Sequence, residues 1–184
     1  MGALPGVARL GRVSTIGVSI AVPDPWGAQL QEYRIALGDP SARRIPSHVT
    51  LIPPYEIEDD GTDAVVAHLE EAAESTPSFP MHLRGTGTFR PVSPVVFINV
   101  VAGISECEML SSRLRRGPLE AALRFPYHPH VTVAHELGEP LLDRAYEELA
   151  DFDCVFAVDE FHLYEHDATA GWRPTHTLTL SGAK

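Results

Sequence analysis

The chain runs to 184 residues, yet it holds only two cysteines and a single lysine. Cys107 and Cys154 make neither a disulfide framework nor a CxxC site. Both sit among apolar neighbours, so two buried thiols in a reducing cytoplasm are expected. No uncharged apolar run approaches the roughly 18 residues of a membrane-spanning helix, so no membrane is expected as a partner. Positive charge is scarce too. Lysine and arginine total 14 against 25 aspartates and glutamates, a formal net charge of −11. That balance argues against a broad cationic surface for long nucleic acid, which binds by neutralising phosphates. A small phosphate ligand needs only a few local charges. Also missing are a P-loop, a dinucleotide-binding glycine fingerprint, a serine nucleophile elbow and a zinc-ribbon spacing.

What is present describes one domain with a core. Hydrophobic residues make up 44% and charged residues 21%, far from a disordered composition. Arg9 and Arg12 before the apolar stretch 13–22 loosely resemble a signal peptide. Ser14, Thr15 and Ser19 dilute the stretch, and no small-residue cleavage site follows. The expectation is a flexible leader over 1–12 and a single bilobal domain over 13–184.

Hydrophobic periodicity predicts a strand over 13–22 and a helix from Pro25 to Leu37, stopped by Gly38-Asp39-Pro40. A short strand over 48–52 is closed by Pro53-Pro54. A helix over 62–75 and a strand over 79–89 follow, with Gly85 and Gly87 marking a bend or bulge. The second half predicts a buried strand over 94–101 and a helix over 103–116. Gly117-Pro118 interrupts that helix, which resumes over 119–124. Then come a strand from His130 to Ala134, a helix over 139–150, one or two strands over 152–164, and a last strand over 172–180.

Side by side, the halves match. Each runs strand, helix, proline-flanked His-Val-Thr strand, helix, strand. Ile16 to His48 spans 32 positions and Val96 to His130 spans 34. Such an internal repeat implies two βαβ-containing lobes. The expected class is α+β: two pseudo-symmetric lobes with mostly antiparallel sheets facing a central cleft, helices outside.

The repeated triplet carries chemistry. In a strand, residues i and i+2 share a face. His48 and Thr50 therefore point one way while Val49 and Leu51 point the other, and His130 and Thr132 do the same against Val131 and Val133. Two imidazoles and two hydroxyls in one cleft suit phosphoester cleavage by acid–base catalysis. Imidazole, with an ordinary pKa of about 6.5, can accept a proton from water or donate one to a leaving oxygen. The threonines can hold non-bridging phosphate oxygens. No metal or cofactor is required. A single H-x-T would carry little weight; two copies at the same place in a repeat carry much more.

With His48-Val49-Thr50-Leu51, Pro129-His130-Val131-Thr132-Val133, Thr88-Phe89-Arg90-Pro91 and the strand over 94–101, the chain resembles the 2H phosphoesterase superfamily from about Val13 to Leu180. Within it, the chain looks most like the 2'-5' RNA ligase-like and RNA 2',3'-cyclic phosphodiesterase branch. The resemblance implies a metal-independent phosphodiesterase that opens 2',3'-cyclic phosphates on a nucleotide or RNA end. His48 and His130 would be the acid/base pair, and Thr50 and Thr132 the phosphate donors. Hydrolysis is expected rather than 2'-5' ligation. The second motif runs into Ala134-His135-Glu136, where the RNA-active branch often has a basic residue, so a nucleotide-sized cyclic phosphate fits as well as an RNA terminus. A monomer is expected. The rival reading is a non-catalytic nucleotide- or phosphometabolite-binding module on the same fold; the intact histidines and threonines argue against it.

Arg43, Arg44, Arg90 and Arg124 are candidates for phosphate contact, each weighed against an ordinary solvated arginine. Tyr55, Phe89, Tyr127 and Trp172 are candidates for base stacking, each more often core or rim. By position relative to the family cleft, Arg44, Phe89, Arg90 and Tyr127 rank first as substrate contacts. His128-Pro129-His130 with His135 has the look of a zinc ligand set, but Pro129 intervenes and His130 already has a role. His162, His166 and His176 read as surface or satisfied histidines.

Overall fold

β-Branched residues at alternate positions bury Ile16, Val18 and Ile20 on the core side of the first strand, β1 (Val13–Ala21). The computed structural model describes residues 13–58, 61–120, 123 and 125–182. The expected leader over 1–12 and the candidate Arg124 lie outside the described residues.

α1 (Trp26–Leu37) follows β1 and ends at Gly38, whose φ of 91° suits the left-handed stop. Next come β2 (His48–Glu58), α2 (Thr62–Glu74), β3 (Phe79–Thr88), β4 (Val95–Ala102) and α3 (Ile104–Leu114). A short 3-10 turn (Gly117–Leu119) leads on to β5 (His130–His135), α4 (Glu139–Glu148), β6 (Asp153–Val158), β7 (Glu160–Asp167) and β8 (Gly171–Thr179). The class is α+β, with every strand pairing in one antiparallel sheet of order β6-β3-β4-β5-β2-β1-β7-β8.

One expectation changes. β2 does not stop at Pro53-Pro54 but runs on to Glu58. Ile16 faces Tyr55 and Val18 faces Ile52, so two prolines stand opposite the single residue Gly17. A bulge leaves their missing N–H groups unneeded by the ladder. The alternating run 152–164, expected as one or two strands, forms two that divide at Asp159: β6 pairs with β3, whereas β7 pairs with β1. A 3-10 turn forms at Gly117–Leu119, and most of the helix expected over 119–124 lies outside the described residues. The predicted bulge in β3 is present, between Leu83 and Thr86, with Gly85 at φ 63°.

The β6–β7 junction shapes the sheet. Six inter-strand steps separate these neighbours in the strand order, about 29 Å if the sheet were flat. One residue, Asp159, joins them. The sheet therefore curls until its outer strands meet. Leu180 N–H donates to the Asp159 carbonyl at 2.7 Å, and Ser78 N–H to the Ser181 carbonyl at 3.0 Å. At the centre, the two four-stranded halves join through one register pair, Val49 opposite Val131. Helices pack crosswise over this seam, α1 against β5 and α3 against β2, above a shared core that includes Leu30, Leu51, Leu110 and Val133.

The loop over 38–47 delivers the chain into β2. It is held by a buried network on α1. The Arg34 guanidinium bonds the Asp39 carboxylate at 2.9 and 3.0 Å and the Ile45 carbonyl at 2.8 Å. Ser41 donates to the other Asp39 oxygen from both its N–H and its hydroxyl. Burial alone would raise the Asp39 pKa; the bonds from Ser41 and Arg34 outweigh it and hold the carboxyl below the usual range. Removing one member strands a buried charge, so Asp39→Asn is expected to lower unfolding free energy by about 3–5 kcal/mol at pH 7, read by urea denaturation. The wild-type contribution is present in full above the unfolded carboxyl value of about 3.9 and is lost as pH falls through the lower folded value. A wild-type/variant gap that persists unchanged at pH 2 contradicts this assignment.

Candidate active site

Val49 and Val131 are fully buried and face each other across β2 and β5. Their neighbours in both strands necessarily turn to the opposite face. The antiparallel pairing at Val49 and Val131 places His48 and Thr132 toward one end of that pair and Thr50 and His130 toward the other. All four side chains are half-buried. The two His-Val-Thr triplets are thus brought together on one face of one sheet.

Each histidine is pinned the same way. His48 Nδ1 lies 2.6 Å from the Pro46 carbonyl and His130 Nδ1 lies 2.7 Å from the His128 carbonyl. A carbonyl oxygen only accepts, so each Nδ1 carries the proton and donates it. Nε2 becomes the nitrogen offered to a ligand: a lone pair when the ring is neutral, an N–H donor when it is charged. Burial lowers both pKa values. At His48 the Arg34 charge adds to the lowering and the bond to Pro46 opposes it. At His130 the bond to His128 opposes burial, while repulsion from His128 and His48 reinforces it. The His48–His130 repulsion means that a proton on one ring disfavours a proton on the other.

The surroundings of the two rings differ. Phe89 and Phe97 each sit 5.0 Å from His130, ring centre to ring centre, Phe89 edge-on at 89°. His128 stacks 6.0 Å away on the same ring. Next to His48 there is open space instead. A pocket of ≈ 140 Å³ is lined by His48 and Thr50 together with Ser19, Ile45, Tyr164 and Trp172.

Of the four residues ranked first as substrate contacts, Phe89 lies against His130. Arg44 is exposed next to Ile45 and Pro46 of the pocket wall, and its carbonyl accepts the Trp172 N–H at 3.1 Å. Arg90 is committed elsewhere: its guanidinium bonds Glu139 at 2.6 Å and Asp143 at 2.8 Å, tying the turn after β3 to α4. Tyr127 packs against the core and donates from its hydroxyl to the Thr50 carbonyl at 2.8 Å, bracing β2 from behind. Burial pushes its phenol pKa up. Of the other candidates, Tyr55 is half-buried against the core. Cys107 and Cys154 are both buried and unbridged.

Sequence reasoning misses Phe97, Ser19 and Tyr164 at the site. Phe97 reads as one residue of a buried strand, and only its register opposite Thr132 reveals its face. Trp172 ranks low from sequence, because nothing local shows that the start of β8 returns to His48. The pinning carbonyls of Pro46 and His128 have no residue signature at all.

Comparison with known proteins agrees with this architecture. E. coli LigT, in a structure complexed with 3'-AMP, superposes with a TM-score of 0.67 at 20% identity over 92% of this chain and 99% of that one. TT0787 of Thermus thermophilus gives 0.70 at 20% identity over 92% and 100%. At those identities the likeness is one of fold. In sequence, a Bacillus pumilus protein named as a phosphoesterase is 31% identical over 144 residues, 77% of this chain and 84% of its own. One from Bacillus cytotoxicus, similarly named, is 27% identical over 146 residues, 77% and 83%. The family model described as the 2'-5' RNA ligase superfamily matches residues 22–170, a span that takes in both His-Val-Thr strands. The chain belongs to the 2'-5' RNA ligase superfamily of 2H phosphoesterases.

Proposed function

We propose that the protein is a metal-independent phosphodiesterase that opens 2',3'-cyclic phosphates on a nucleotide or RNA end, with His48 and His130 as its acid–base pair. The observation that carries this reading is the duplicated pin. Two imidazoles on adjacent strands each donate Nδ1–H to a carbonyl two residues back, which aims two equivalent Nε2 atoms at one face. One neutral ring takes a proton from water at Nε2 as that water attacks phosphorus. The other ring, protonated, gives its Nε2 proton to the departing ribose oxygen. The Thr50 and Thr132 hydroxyls donate to the non-bridging oxygens, where negative charge builds. Every proton is accounted for within the pair, so hydrolysis leaves the two rings in exchanged states that solvent resets. The 3'-AMP held by E. coli LigT has the chemistry of a ring-opened product, a nucleoside with a terminal phosphate, which supports carrying a nucleotide-sized ligand over to this chain.

His48→Ala and His130→Ala are each expected to lower kcat on 2',3'-cyclic AMP by about 10²–10⁴-fold, and Thr50→Val or Thr132→Val by on the order of 10². EDTA is expected to leave the rate unchanged. Full turnover in either histidine variant would remove the proposal.

The pH profile follows from the lowered pKa values. Above both, the base is present and the acid is missing; below both, the reverse holds. The productive form carries one proton on the pair, and the apparent values belong to the pair. A bell-shaped kcat/KM with its maximum below about pH 6.5 is expected. A maximum above about pH 8 on a steady-state series contradicts it.

A further inference from the structure

Phe97 stands between β3 and the His130 imidazole. It pairs with Gly87 on β3 and with Thr132 on β5. Its ring centre lies 5.0 Å from that of His130 and 5.5 Å from that of His128. Phe89 packs on it at 4.5 Å, tilted by 37°, and the residue is buried. Phe89 is itself held in place. It begins a turn closed by bonds from the Val92 and Ser93 N–H groups to its carbonyl and from its own N–H to the Val95 carbonyl. Arg90 fastens that turn to Glu139 and Asp143 on α4.

Room for the Phe97 ring comes from Gly87. A Cβ at this position would stand 2.5 and 2.7 Å from Phe97 Cε2 and Cζ, and 2.8 Å from Asn99 Oδ1. Carbon atoms pack at about 3.5–4.0 Å, so a methyl group cannot enter while the ring stays where it is. The backbone does not call for glycine here. Gly85 has a φ of 63°, in the left-handed region, but Gly87 lies outside that region, where alanine is at ease. The missing side chain at 87 therefore serves the ring and not the course of the chain.

A Cβ at 87 would have one direction in which to act. Asn99 Oδ1 ends a half-buried side chain, and rotation moves it aside. Phe97 lacks that freedom, because Phe89, His128 and His130 close it in. The push comes from β3, and His130 lies on β5, the other neighbour of β4. His130 presents Nε2 through one bond, from Nδ1 to the His128 carbonyl, so a displaced ring bears on that bond. His48 makes its own bond to the Pro46 carbonyl, and its register partner on β1 is Ala21, a methyl group rather than a ring.

We infer that Gly87 is a positioning residue for His130: its missing side chain seats Phe97, and Phe97 holds the imidazole in the rotation at which Nδ1 meets the His128 carbonyl. The effect on rate rests on the proposed acid–base role of His130. The effect on the ring's tautomer is independent of turnover.

Nitrogen-15 NMR of the imidazoles at about pH 8, where both rings are neutral, reads the tautomer directly. In the wild type, His48 and His130 should both be Nδ1–H. In Gly87→Ala, His130 should gain Nε2–H population while His48 keeps its tautomer. In the same variant, kcat on 2',3'-cyclic AMP should fall by about 10–10²-fold with little change in KM. Phe97→Leu removes the ring tip that meets the Cβ. The double variant should therefore match Phe97→Leu alone in tautomer and in rate, a non-additive pair. If Gly87→Ala does not fold, the double variant should fold; unfolding of both overturns the assignment. So does a folded Gly87→Ala whose His130 tautomer is unchanged, one in which His48 shifts equally, or a double variant no better than Gly87→Ala. A tautomer shift confined to His130, in a protein whose wild type turns over no cyclic phosphate, would remove the catalytic reading and uphold the role of Gly87. An unchanged His130 tautomer beside ordinary wild-type turnover would do the reverse.

Discussion

Where β2 meets β5, Val49 stands opposite Val131, and this one register pair joins the two halves of the sheet. Both valines are fully buried, so the pairing cannot slip by one residue without turning two hydrophobic side chains out and two histidines in. The same constraint orients His48, Thr50, His130 and Thr132 together. A site that reads as four polar residues is therefore maintained by two apolar ones on the reverse face. α1 and α3 press on β5 and β2 from that reverse side, which ties the seam to the main core.

Orientation of the imidazoles is a second, more local matter. Each ring spends its Nδ1 proton on a carbonyl two residues earlier, and proline lies within each of these segments, at Pro46 and at Pro129. Repetition of the bond makes the nitrogens alike, but their environments make them unlike. His48 feels the buried Arg34 charge and borders open space; His130 is packed by phenylalanines and by His128. A duplicated motif has thus been placed in an asymmetric setting.

Stability and the site share the loop over 38–47. Arg34, Asp39 and Ser41 form its buried side, and the Ile45 carbonyl held by Arg34 adjoins the Pro46 carbonyl that fixes His48. Trp172 fastens the same loop from β8. A network that reads as structural by its burial therefore also sets where one imidazole and one pocket wall stand.

Much of this was legible in the residues. Alternation located most strands, glycine and proline located the ends of the helices and the β3 bulge, and the twofold recurrence of His-Val-Thr singled out the four polar residues that share one sheet face. Local pattern is reliable there because strand period and chain breakers act within a few residues. It failed at Pro53-Pro54, where a bulge opposite Gly17 accommodates two prolines, and it left open whether 152–164 was one strand or two, because an unbroken alternation hides the change of partner strand at Asp159. Arg90 and Tyr127 lie close in sequence to site residues, yet Glu139 and Asp143 claim one and the Thr50 carbonyl the other. Sequence by itself determined the fold class, the repeat and the pairing of imidazole with hydroxyl on each strand, since these depend on side-chain type and spacing. Only the tertiary structure decided that the two strands adjoin, which nitrogen each ring presents, and that a pocket lies beside His48, because those depend on contacts between segments far apart in the chain.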